Sequence, residues 1–228
     1  MKRPFILFDL DGTLVDSLPD LAHALNLQLA EAGLRALGES EVRLMIGDGA
    51  KKLVERAFAA AGRSLPSDPA PAIARFIELY ENGPAQRTTV YPGVLETLAD
   101  LRQAGLHLAV VTNKPQNASL KVLAGLGLSQ FFDAVVGAGA SPALKPDPAP
   151  LKAALDLMQA SPDQAIMVGD NANDVAAARA LGIPVIVVTY GYARSEPAQL
   201  GADALIDVFG DLPQALDHFT SDNFFSGP

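Results

Sequence analysis

The sequence predicts an α/β protein: a parallel sheet covered by helices, with a block of helices inserted after the first strand. Three observations carry this. Residues 5–8 (FILF) are an unbroken apolar run that stops at Asp9-Leu10-Asp11-Gly12-Thr13. Such a run followed by turn residues reads as a strand buried on both faces, as in parallel sheets. Residues 17–89 then carry only helical patterns, and from Tyr91 onward short apolar strands alternate with helices. That alternation is the pattern of a sheet wrapped on both faces. The expected division is therefore 1–16 with 90–228 for the sheet domain, and 17–89 for the helical one.

Taken in order, the first helix follows from Leu18, Leu21, Ala22, Leu25 and Leu29 at helical spacing, with Ser17 as N-cap and Gly33 as stop. Helical patterns cover about 39–46, 50–61 and 71–81, with breaks at 62–71 and at Asn82-Gly83-Pro84. In the second part, helices are expected at about 92–104, 116–126, 148–158, 173–181 and 212–219. Strands are expected at about 106–112, 134–137, 165–169, 184–189 and, more weakly, 204–208. The tail SDNFFSGP reads as frayed, with Phe224 and Phe225 as residues able to dock back.

Composition narrows the function. The chain has 228 residues, 49% of them hydrophobic, and a net charge of -9 from 17 basic and 26 acidic residues. So acidic a chain is a poor partner for nucleic acid or an anionic membrane. It has no Cys, which removes disulfides, a thiol nucleophile and Cys-ligated metals. The apolar run at the start breaks at Asp9, too early for a signal peptide or a membrane span. A cytoplasmic enzyme, monomeric or homodimeric, acting on a small molecule is the expectation.

The candidate chemistry falls at strand ends. Asp9 and Asp11 are two apart, a spacing that in extended chain points both carboxylates the same way. Two such acids repel unless a cation sits between them, and Mg2+, which prefers oxygen ligands, is the simplest one. Thr112-Asn113-Lys114 ends the second strand, Lys145 lies in the loop LKPDPAP, and GDNAND, with Asp170 and Asp174, follows another strand. In a parallel sheet these ends share one edge. Singly, each has a plain alternative: a solvated loop for the acids, a helix cap for Thr-Asn, a first-turn acid for Asp174.

Together, DLDGT, TN, Lys145 and GDNAND resemble the four motifs of the haloacid dehalogenase superfamily. The resemblance spans all but the tail. It implies a Rossmann-like core with a small inserted helical cap. The stretches IGDGAKKLVERA, YPGVLETLADLRQAGLHLAVVTNKP and VVTYGY further resemble the branch of that superfamily that hydrolyses 2-phosphoglycolate. The resemblance implies Asp9 as the nucleophile that forms an aspartyl-phosphate and Asp11 as the general acid and base. It implies Mg2+ held by Asp9, the backbone carbonyl of Asp11, and Asp170. Thr112, the amide of Asn113, and Lys145 would hold the phosphoryl oxygens, with Asn171 and Asp174 behind the metal. Where the fourth motif often carries Ser, this chain has Asn171, which still offers hydrogen bonds. The same motifs serve phosphatases of sugar phosphates or pyrophosphate, and phosphomutases.

The remaining polar residues divide simply. His23, His107 and His218 lack ligand spacing and read as structural or surface residues. The carboxylate of phosphoglycolate must be met from the cap, and Lys52 and Arg56, four apart on one helix face, are the expected specificity residues, with Lys51 pointing elsewhere. A solvated helix face is the alternative for both.

Overall fold

The computed structural model describes residues 4–83 and 85–219; Phe224 and Phe225 lie outside them. Strands β1 (Phe5–Phe8), β4 (His107–Pro115), β5 (Ala134–Ala138), β6 (Ala165–Gly169), β7 (Val185–Val188) and β8 (Ala204–Ile206) form one parallel sheet in the order β5-β4-β1-β6-β7-β8. β1 is central because it is apolar at every position. Ile6 and Phe8 face one hydrophobic core and Leu7 the other, as strand alternation requires. On the first face pack α5 (Val94–Gln103), α6 (Gln116–Gly125) and α9 (Leu212–Asp217). On the second pack α7 (Ala149–Leu157) and α8 (Ala172–Ala180).

The inserted block comprises α1 (Leu18–Glu31), α2 (Glu39–Arg43), α3 (Gly49–Ala60) and α4 (Ala70–Glu81), with α1 against α2 and α4, and α3 against α4. Its two connections pair as a short antiparallel ribbon, β2 (Val15–Asp16) with β3 (Thr89–Val90). Two residues per strand are too few to show alternation, so sequence pattern does not announce this ribbon. Below it, the buried Asp20 carboxylate accepts hydrogen bonds from the Arg87 and Thr88 amides and the Thr88 hydroxyl, at 2.7–3.1 Å. Among the described residues no helix is long and apolar enough to cross a membrane.

Register places the chemistry. Phe8 pairs with Val110 on one side and Val168 on the other, so Asp9, Thr112 and Asp170 emerge at three adjacent strand ends. β4 runs past its expected end at 112, and its pairing with β5 shifts between Val111 and Pro115. Thr112 and Asn113 are therefore strand residues, not caps of α6, whose N-cap is Pro115.

Candidate active site

Asp9 is buried directly after β1. Its Oδ1 accepts from the Leu10 amide at 2.8 Å and pairs with Lys145 Nζ at 3.0 Å. Lys145 Nζ also donates to Val111 O and Asp174 Oδ1, both at 2.6 Å. The Asn113 side chain holds this lysine's backbone: its amide donates to Lys145 O at 2.8 Å, and its carbonyl accepts from Lys145 N at 2.8 Å. The same amide reaches Gly47 O in the inserted block at 2.9 Å. Thr112 is buried beside Asp9 on the cavity wall, its Oγ1 accepting from Lys114 N at 3.2 Å.

Asp170 follows β6 and is fully buried. Its oxygens accept from the Tyr192 amide at 2.5 Å and the Asn171 side chain at 3.0 Å. Asp174, in the first turn of α8, bonds Lys145 through Oδ1 and the Asp170 and Asn171 amides through Oδ2, at 3.1 and 3.2 Å. It is thus a bracket between motifs. Asn171 N-caps α8, accepting from the Asn173 amide at 2.9 Å. Gly12 has φ +88°, and a Cβ there would collide with Asp170 Oδ2. Only glycine suits both the backbone and the space.

Asp9, Asp170 and Asp174 each bring an oxygen within 4.8 Å of the others. Three buried acids around one lysine leave excess negative charge, and the donor set is all oxygen. Both facts suit a hard divalent cation such as Mg2+. Burial pushes Asp9 up to about 6, with Lys145 pulling it down and Asp174 pushing it further up. Burial, Asp174 and Asp9 push Asp170 well above the usual carboxylate range. Lys145 is held above its ordinary value because Asp174 and Asp9 outweigh burial.

A carboxyl raised on folding favours the folded state below its unfolded value near 3.8, and that contribution is lost as pH rises through about 6. The metal-free protein is therefore expected to lose about 2–4 °C in Tm between pH 5 and pH 7, for a loss of about 1 kcal/mol from Asp9. Mg2+ at pH 7 should return it, because it binds only the folded cluster. Thermal melts at both pH values, with Mg2+ or EDTA, check this; a Tm indifferent to Mg2+ would contradict it.

Asp11 differs from the expectation of two acids needing one cation between them. The chain turns immediately after Asp9, and each acid has its own lysine. Asp11 pairs with Lys114 Nζ at 2.9 and 3.0 Å, and Oδ1 accepts from Ser17 Oγ at 2.6 Å. Ser17 is the N-cap of α1 by position, yet its hydroxyl serves Asp11 and not the helix. Both acids still line one small cavity of about 50 Å³, closed by Leu53, Phe76 and Tyr80 from the inserted helices.

Lys52 and Arg56 are not brought to this cavity. On α3 the residues facing it are Gly49, Ala50 and Leu53, and neither Lys52 nor Arg56 lines it. Lys52 is exposed and pairs with Glu55 at 2.8 Å. Arg56 binds Met45 O at 3.0 Å and Asp48 at 2.5 Å. Asp48 also takes Arg194 and Asn173, both at 2.7 Å, tying the Gly47-Asp48-Gly49 loop to the sheet domain. Burial alone would raise the Asp48 carboxyl, but bonds from Asn173, Arg194 and Arg56 hold it at about 2. The three histidines lie off the site: His23 and His218 are exposed, and His107 pairs with Asp133 at 3.0 Å.

Sequence reasoning assigned no role to Lys114 or Tyr80. Lys114 is 5% exposed, and its Nζ lies 4.4 Å from the Tyr80 ring centroid. The available signal was Lys114 itself, a cation directly after the Thr-Asn pair at a buried strand end.

Comparison with known proteins identifies the family. The family described as haloacid dehalogenase-like hydrolase matches residues 6–188. A phosphoglycolate phosphatase of Caulobacter vibrioides is 46% identical over 211 residues, covering 92% of this chain and 89% of its own. One from Rhodospirillum rubrum is 47% identical over 212 residues, covering 91% and 88%. The crystal structure of a predicted phosphoglycolate phosphatase from Haemophilus somnus superposes with a TM-score of 0.89 at 36% identity, covering 95% of this chain and 99% of that one. With a family match across most of its length and relatives at 46–47% identity, the chain belongs to the haloacid dehalogenase-like hydrolases and is an enzyme of that family.

Proposed function

We propose that this enzyme hydrolyses 2-phosphoglycolate to glycolate and phosphate through a phosphoryl group carried on Asp9. The observation that carries the reading is the shared cavity. Asp9, fixed by Lys145, and Asp11, fixed by Lys114 and Ser17, face one space of about 50 Å³. Relatives at 46–47% identity carry the matching name.

Asp9 attacks phosphorus, and the bond to the leaving oxygen breaks. Asp11 gives that oxygen its proton, then takes one from the water that attacks the acyl phosphate, freeing Asp9 and inorganic phosphate. The Thr112 hydroxyl, the Asn113 amide and Lys145 hold the phosphoryl oxygens. Asp9, the Asp11 backbone carbonyl and Asp170 would hold Mg2+, with Asn171 and Asp174 behind them; the ion would offset phosphate charge as an anionic nucleophile approaches. The inserted helices serve as a cap that limits water during attack.

Phosphate release from a panel of small phosphoesters tests this. Turnover should be fastest with 2-phosphoglycolate, vanish in EDTA, return with Mg2+ and fall with Ca2+, whose larger, looser coordination disturbs in-line geometry. Full activity in chelator would contradict the scheme. Release that requires a bisphosphate activator would point to a phosphomutase.

A further inference from the structure

The phosphate half of the cavity is served by Lys145 and the strand ends. Its far wall is apolar, formed by Leu21, Ile46, Leu53, Phe76 and Ile77. Among the described residues lining it, Lys114 is the one cation. With Lys52 and Arg56 turned away, a carboxylate entering this wall meets no other positive side chain there.

We infer that Lys114 and the Tyr80 hydroxyl form the subsite for the carboxylate of the substrate's leaving group. The inference rests on the reading of the site as one for 2-phosphoglycolate. An ammonium has three donors, and Lys114 gives bonds of 2.9 and 3.0 Å to the two Asp11 oxygens. The third faces the Tyr80 side chain, whose ring centroid lies 4.4 Å from Nζ. The Tyr80 hydroxyl is buried beside the Lys114 ammonium, which acts on it as a charge and as a loose donor, yet no described residue meets both hydrogen-bonding distance and angle to it. A lysine serving only as counterion to Asp11 gives no reason for an unsatisfied hydroxyl beside it. A ligand oxygen reaching both groups would give the third donor and the hydroxyl a full hydrogen bond that neither gives the other.

Position supports the same assignment. Asp11 is the residue that protonates the leaving oxygen, so a cation touching Asp11 lies on the leaving-group side. In glycolate one carbon separates that oxygen from the carboxyl carbon. A carboxylate so close to the reacting oxygen is within reach of β4 and α4, and no group from α3 is needed. The Tyr80 ring, 4.4 Å from Nζ, holds the ammonium at this place. Specificity then comes from a strand of the sheet domain and the last turn of α4, not from the cations of α3.

The test compares kcat/KM for 2-phosphoglycolate and for ethyl phosphate, which lacks the carboxylate, in the Mg2+-loaded full chain. Wild type should prefer 2-phosphoglycolate. In Lys114→Met and Lys114→Gln the ratio of the two should fall about ten- to a hundredfold, and in Tyr80→Phe about three- to tenfold. Any loss acting through Asp11 falls at least as heavily on ethyl phosphate, whose alcohol is the poorer leaving group, so it cannot produce this fall. If Lys114→Met does not fold, Lys114→Gln and Tyr80→Phe still decide. A wild type without preference overturns the functional reading itself. A wild type that prefers 2-phosphoglycolate, with variants that keep its ratio, overturns the subsite alone.

Discussion

Asp9→Asn is expected to abolish turnover, by about four orders of magnitude or more, and to leave the fold intact. An amide is too weak a nucleophile to attack phosphorus, and no neighbouring group can replace it: the other nearby acids are already engaged. Asp170 is held by Tyr192 and Asn171, and Asp174 by Lys145 and two amides. The substitution removes one charge from a cluster of three buried acids, two of which share Lys145. Burial already opposes ionisation of Asp9, holding it at about 6, so the metal-free variant should melt no lower than wild type at pH 7. Phosphate release and thermal melts, side by side, check both halves. Turnover within tenfold of wild type would remove Asp9 from its role.

Lys145→Met should damage both stability and catalysis. Its ammonium is the buried cation that Asp9 and Asp174 share, and it also bonds Val111 O at 2.6 Å. Removing one partner of a buried ion pair costs about 3–5 kcal/mol, because the charges left behind stay desolvated. In a chain of this size that is a fall in Tm of roughly 10 °C. Mg2+ should return part of it, since a cation at the acids relieves the same charge. Losing a donor to the phosphoryl oxygens should lower kcat/KM by a further hundred- to thousandfold. A variant that melts normally and turns over within tenfold would show that Lys145 is not the centre of this network.

What was legible in the sequence depended on whether the signal was local. β1 and β6 are continuous apolar runs ended by Asp or Gly, and both were placed to the residue. Asp9, Asp170 and Lys145 were legible for the same reason: strand ends in a parallel sheet share an edge wherever they fall in the chain. The departures are contacts that no local pattern encodes. Ser17 looks like a helix cap, but its hydroxyl goes to Asp11, six residues back. Lys52 and Arg56 share a helix face, but which face turns inward is set by Leu53, Val54, Ala57 and Phe58, all buried on the other side. Asn113 offers its side chain to Lys145 and to Gly47, partners 32 and 66 positions away. Lys114 hides in the strand that carries the Thr-Asn pair, and its meaning appears only once α4 brings Tyr80 over it.

The central claim is that Asp9 carries the phosphoryl group. A crystal structure of the enzyme with Mg2+ and beryllium fluoride tests it most directly. Beryllium is expected bonded to a carboxylate oxygen of Asp9, with its fluorides facing Thr112, the Asn113 amide and Lys145. Beryllium bonded to any other residue, with Asp9 free beside it, would contradict the assignment.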